Sequence, residues 1–196
     1  MLLYKHMTDC CLACAEKKED CCSSDYAKFT TLEDAKRAAK FLKTKAKNVV
    51  VYSELTKNDK GTELYTKKIH PYYYDLAPGK GKVLQLKKQK NGACFFLSEK
   101  GSCKIYSARP LICRAFPFWH SAKGRIIVDN NGLECGIVNG KTFENQELKP
   151  EFEKTVFAGL STSKEGLKKL LLQIKKETAD YKKNLLAFVK AEKIRA

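Results

Sequence analysis

The chain has 196 residues, 43% of them hydrophobic and 31% charged, with a formal net charge of +16 and nine cysteines. That length suits one compact domain with an appendage, and the apolar fraction is enough for a core without covalent staples. No run of 18 uncharged apolar residues occurs, which argues against a membrane-spanning helix and leaves no membrane partner to expect.

Residues 1–28 read as loop and hold five of the nine cysteines. Thr30 is the expected N-cap, with Glu33 three residues on completing a capping box for a helix over residues 32–45. Leu32, Ala35, Ala39 and Leu42 recur in that helix at helical spacing. Val49-Val50-Val51-Tyr52 reads as a strand. The cluster Lys57-Asn58-Asp59-Lys60-Gly61 marks a turn, and Tyr72-Tyr73-Tyr74 forms an aromatic patch better explained by packing than by base stacking. Val83-Leu84-Gln85-Leu86 and Cys94-Phe95-Phe96-Leu97 read as strands joined by the turn Lys90-Asn91-Gly92. A turn at Lys100-Gly101-Ser102 leads into Cys103-Lys104-Ile105-Tyr106, and Arg125-Ile126-Ile127-Val128 is a further strand.

After Gly140 the pattern becomes helical. Pro150 can open a helix through Phe157, and the Ser161-Thr162-Ser163 segment can cap a long final helix. Leu167, Leu170, Leu171, Ile174, Tyr181, Leu185, Phe188 and Val189 share one face of it. Lysine pairs at Lys168-Lys169, Lys175-Lys176 and Lys182-Lys183 recur every seven residues on the opposite side. The expected fold is α+β. A cysteine-cluster domain over residues 1–142 has a small antiparallel sheet and short helices around a metal site. A helical C-terminal extension over residues 143–196 packs its apolar face on that domain or on a second copy of the chain.

Met1-Leu2-Leu3-Tyr4 meets Lys5 and His6 before the apolar stretch of an export signal develops, so a cytoplasmic, reducing location is expected. Structural disulfides are disfavoured there, and an odd number of cysteines does not pair completely. Metal ligation or thiol chemistry better explains Cys10, Cys11, Cys14, Cys21, Cys22, Cys94, Cys103, Cys113 and Cys135. Cys11-x2-Cys14 has chelate spacing, since a tight turn can aim two thiolates at one soft metal. Neighbours such as Cys21 and Cys22 point apart in an extended chain, so they suit two metals or two corners of one cluster. His6, His70 and His120 are substitute ligands at most.

The blocks Cys94-Phe95-Phe96-Leu97, Gly101-Ser102-Cys103-Lys104-Ile105-Tyr106 and Arg109-Pro110-Leu111-Ile112-Cys113-Arg114-Ala115-Phe116-Pro117-Phe118 resemble the CxxCxxCC family, also called YkgJ-like, of zinc/iron-chelating cysteine-cluster proteins. Cys11, Cys14, Cys21 and Cys22 look like the family's opening cysteines. Phe29-Thr30-Thr31-Leu32-Glu33-Asp34 resembles its threonine-capped helix, and Glu134-Cys135-Gly136-Ile137 its late C-P-G segment without the proline. The family spaces its opening cysteines as C-x2-C-x2-C-C, whereas six residues separate Cys14 from Cys21 here, so either Cys10 or Cys11 can fill the first position. The resemblance implies eight metal-chelating cysteines: Cys11, Cys14, Cys21, Cys22, Cys94, Cys103, Cys113 and Cys135, with Cys10 spare.

Eight thiolates can hold two zinc ions or two cubane iron–sulfur clusters. Vicinal Cys21-Cys22 and the aromatic run Phe116-Pro117-Phe118-Trp119 favour an iron–sulfur cluster, with Zn2+ the alternative cofactor. Arg109 and Arg114 flank Cys113 and can either tune a thiolate centre or form ordinary salt bridges. Two other functions remain open. Some relatives are flagellin lysine methylases, which implies S-adenosylmethionine-dependent lysine methylation, although no G-x-G-x-x-G loop is present. The lysine-rich surface suits a nucleic-acid module, although arginine, the usual base reader, is limited to Arg37, Arg109, Arg114, Arg125 and Arg195.

Overall fold

The computed structural model describes residues 22–23, 27–54, 82–116, 118–120, 126–128, 143–144, 147–148, 150, 154, 157 and 163–195. Its elements are α1 (Leu32–Phe41), β1 (Val50–Glu54), β2 (Lys82–Leu86), α2 (Leu111–Ala115), β3 (Phe118–His120), β4 (Ile126–Val128), β5 (Phe143–Glu144), β6 (Glu147–Leu148) and α3 (Lys164–Ala191). The fold is α+β. Its strands form antiparallel pairs, β1 with β2, β3 with β4 and β5 with β6, rather than one continuous sheet.

Helix α1 starts at Leu32 as expected, but its cap is one residue later. Thr31, not Thr30, is the N-cap: its hydroxyl accepts from the Asp34 amide at 3.0 Å, and the Asp34 carboxylate accepts from the Thr31 amide at 3.2 Å. Asp34 takes the reciprocal role expected of Glu33, which instead lies near solvent and pairs with Lys36. The helix also stops before residue 45. Lys43 turns left-handed at φ 51°, its amide donates to the Lys40 carbonyl, and the Thr44 amide donates to that of Ala39. Those two bonds form a Schellman motif.

The end of α3 repeats this device. Lys193, at φ 51°, donates to Lys190, and Ile194 donates to Val189, whose side chain packs at the same core edge. A side chain bearing Cβ pays about 1 kcal/mol for that conformation, which glycine adopts freely. Lys193→Gly should therefore raise stability by about 1 kcal/mol. A urea melt checks this, the expected sign being a higher midpoint at unchanged slope.

Helix α3 has the expected extent and faces. The Ser163 hydroxyl accepts from the Gly166 amide at 3.0 Å and caps it. Leu167, Leu171 and Ile174 pack with Leu111, Ala115, Phe118 and Phe157, so the N-terminal half of α3 covers α2 and β3. Tyr181, Phe188 and Ile194 join the larger core of Phe29, Leu32, Val49, Leu84, Leu86 and Phe96. The Tyr181 hydroxyl accepts from the Leu84 amide of β2 at 3.0 Å, which pins the helix to the first strand pair. The apolar face is thus covered within the chain, while the paired lysines from Lys168 to Lys183 stay exposed. No helix among the described residues is long and apolar enough to cross a membrane.

Two expected strands are not strands. Cys94 and Leu97 make single antiparallel bridges, to Lys88 and Cys103, with turns between. The Asn91-Gly92 turn does form, with Gly92 at φ 84° and its amide donating to Gln89 at 3.0 Å, but the chain bends again at once. Residues 103–106 likewise pass into a 3-10 turn over Tyr106–Ala108 instead of extending. The Arg125-Val128 strand is β4 in its described part, whereas α2, β3, β5 and β6 were not expected, the last two pairing where a helical segment was expected. The expected turn at Lys57–Gly61, the tyrosines Tyr72, Tyr73 and Tyr74, and most of the helix from Pro150 lie outside the described residues.

Candidate metal centre

The bends that break the expected strands are what present the cysteines. Cys94 opens a tight turn in which its carbonyl accepts from the Leu97 amide at 3.0 Å. The Gln89 side-chain amide braces that turn by donating to the carbonyls of Cys94 and Leu97 at 3.0 and 2.9 Å. Cys103 opens a second turn, its carbonyl accepting from the Tyr106 amide at 3.2 Å. The Lys104 amide donates to Phe96 and ties the two turns together. Cys22 joins them through its carbonyl, which accepts from the Cys94 amide at 2.7 Å. Cys113 sits on α2, whose packing under α3 leaves it facing the same region.

Cys22, Cys94, Cys103 and Cys113 form no disulfide, and each lies within electrostatic reach of the other three. Positions spread over most of the first two thirds of the chain are thereby brought to one place. Burial is the main reason that the Cys94 thiol is pushed up to about 11, and repulsion from Cys22 adds to it. Burial likewise lifts Cys103 to about 12 and Cys113 well above the usual thiol range, with neighbouring thiols again adding. Opposing this, the backbone amides of Phe96 and Leu97 are directed at the Cys94 sulfur, and the Ile105 amide at that of Cys103. Amide-to-sulfur bonds favour the thiolate, the form that ligates a metal.

Of the two arginines flanking Cys113, Arg109 bears on the thiols. Its charge lowers the Cys103 and Cys113 values. Its Nε donates to the Tyr106 carbonyl at 3.2 Å, and its guanidinium stacks 3.7 Å from the Tyr106 ring centre. Arg114 is exposed. Phe96, Ile105, Ile112, Phe116 and Trp119 belong to the core around Cys94 and Cys103, so part of the expected aromatic shelter is present. Phe118 instead enters the second core, stacked on Phe157.

These residues suit a soft cation in donor type, amide support and apolar surroundings. Among the described residues no group of three or more His, Cys, Asp or Glu side chains is already arranged to hold a metal ion, so the four thiols are neighbours rather than a closed shell. Cys11, Cys14, Cys21 and Cys135, with the spare Cys10, lie outside the described residues, as do His6 and His70. A bound cation would supply the positive charge that four clustered thiolates lack.

A buried polar cluster beneath this site escaped the sequence reading. Asp34 is fully buried, and its Oδ1 accepts from the Leu111 amide, the first of α2, at 2.9 Å and from Arg37. Arg37 also donates to Glu177 of α3 at 2.7 and 3.1 Å, and the Thr31 hydroxyl donates to Glu177 at 2.5 Å. Glu177 was the available signal. A carboxylate on the apolar face of a predicted helix requires a buried cation or donor.

The sequence model of the CxxCxxCC family, described as "Putative zinc- or iron-chelating domain", matches residues 8–136, more than half of the chain. No solved structure matches the chain.

Proposed function

The chain belongs to the CxxCxxCC family of zinc- or iron-chelating domains, and from that premise we propose that it carries a cysteine-ligated iron–sulfur centre. Its ligands are drawn from Cys11, Cys14, Cys21, Cys22, Cys94, Cys103, Cys113 and Cys135. The observation that carries this reading is the meeting of Cys22, Cys94, Cys103 and Cys113 from three separate stretches of chain. Buried thiols in mutual repulsion are costly to ionise in a fold without a cation, and a metal ion reverses that cost. Amides aimed at sulfur and the stacked Arg109 are the features by which a protein sets the stability and potential of a thiolate centre. The apolar surroundings of Cys94 and Cys103 favour a cluster over zinc, because they keep water from it. When bound, the centre would supply electron transfer or structural cross-linking.

Purification without oxygen tests this. The expected product is coloured, with broad visible absorption and matching iron and acid-labile sulfide. A colourless protein with stoichiometric zinc would overturn the cluster in favour of zinc. Protein that takes up neither metal would overturn the metal centre itself.

A further inference from the structure

We infer that Asp34 is a positioning residue for the metal centre, holding the Cys113 helix in register with the other cysteines by anchoring its first amide to the α1–α3 ion cluster. The inference rests on the metal-centre reading and adds a residue that is not itself a ligand. Helix α2 has only five residues and no side-chain cap of its own, so nothing local fixes its position. Its first amide, on Leu111, is instead capped at 2.9 Å by a carboxylate 77 residues earlier in the chain. Cys113 is two residues beyond that amide.

The carboxylate is itself held by two further donors. Oδ2 accepts from the Thr31 amide at 3.2 Å, Oδ1 accepts from Arg37, and Arg37 is shared with Glu177 of α3. Apolar packing of Leu111 and Ala115 against Leu167, Leu171 and Ile174 fixes α2 from its other side. Asp34 is therefore where the position of Cys113 is coupled to the docking of α3. Removing it leaves the thiols present but frees the segment that carries one of them.

The test uses the full chain, reduced and loaded with Co2+, whose sulfur-to-metal charge-transfer absorption reports the thiolates bound. Wild type, Asp34→Ala and Val50→Ala, a core truncation in β1 that leaves the Asp34–Leu111 bond in place, are compared under conditions where all are folded. Asp34→Ala should weaken the band and raise the Co2+ dissociation constant about tenfold or more, the usual scale for a residue supporting a ligand. Val50→Ala should keep the wild-type band. An unchanged band and affinity in Asp34→Ala would overturn the inference while leaving the metal centre standing. Equal losses in Val50→Ala would also overturn it, by reducing the effect to general destabilisation. Uptake of neither Co2+, zinc nor iron by wild type would instead overturn the metal-centre reading, and this inference with it. If Asp34→Ala does not fold, Asp34→Asn decides. A carboxamide has one acceptor oxygen for three donors, so affinity should fall about threefold or more. Unchanged affinity in that variant refutes the role.

Discussion

Cys113→Ser should lower metal content and folding stability together. The thiol is buried beside Cys22, Cys94 and Cys103, and burial more than any neighbour holds it protonated without a cation. A metal that displaces this proton gains a ligand and relieves the repulsion, so binding and folding are coupled. A serine hydroxyl is a poor ligand for a soft metal. If the substitution costs a thousandfold in affinity, the metal-saturated fold loses about 4 kcal/mol. The metal-free proteins should differ by only about 1 kcal/mol, the ordinary effect of a buried substitution. Metal analysis with denaturant melts, in the presence and absence of chelator, separates the two. Unchanged metal content in the variant would remove Cys113 from the site.

The same thiols set the sign of a pH effect. Cys94 and Cys103 titrate at about 11 and 12, so near neutrality both carry protons in the metal-free fold. Loading releases those protons, and affinity should weaken steadily as pH falls. Proton release measured in a weakly buffered titration checks this alongside the Cys113 variant.

Glu177→Gln should cost about 2 kcal/mol near neutrality, because it removes the charge-assisted bonds from Arg37, which is a third exposed and keeps Asp34. Burial pushes Glu177 up, but hydrogen bonds from Arg37, Thr31 and Gln173 outweigh it and hold the carboxyl below its ordinary value of 4.5. A depressed value means that its stabilising effect is present above about pH 4.5 and lost as pH falls through the folded value. Asp34 has the opposite sign. Burial outweighs Arg37 and the capped amides and raises it, so its protonation favours the fold; that gain is fully present below its ordinary value and is lost as pH rises through the raised folded value. The gap between wild type and Glu177→Gln should therefore narrow on acidification. Urea melts of both proteins near pH 7 and below pH 4 measure it, and metal loss in acid affects both alike. A gap that stays constant would show that Glu177 acts through packing and not through charge.

Local patterns were readable where a local interaction decides them. The final helix was legible because apolar side chains and lysines separate on its wheel and Ser163 caps it directly. The start of α1 was legible, but its capping box moved by one residue, to Thr31 and Asp34, and Asp34, unlike Glu33, also has a distant donor to satisfy at Leu111. Cys94-Phe95-Phe96-Leu97 had the composition of a strand, yet Gln89 and Cys22 bond its backbone into a turn. Five-residue α2 carries too little periodicity to be seen at all.

By itself the sequence determined the kind of chemistry, zinc or iron chelation: nine cysteines, eight of them in family-specific blocks, an α+β pattern and an amphipathic final helix. Tertiary structure alone decided that Cys22, Cys94, Cys103 and Cys113 come within electrostatic reach of one another, that Arg109 bears on these thiols while Arg114 is exposed, and that Asp34 and Glu177 share one arginine. The physical reason is range. Helical faces and caps are written within a few residues, whereas the Arg37–Glu177 bond spans 140 positions and leaves no periodic trace.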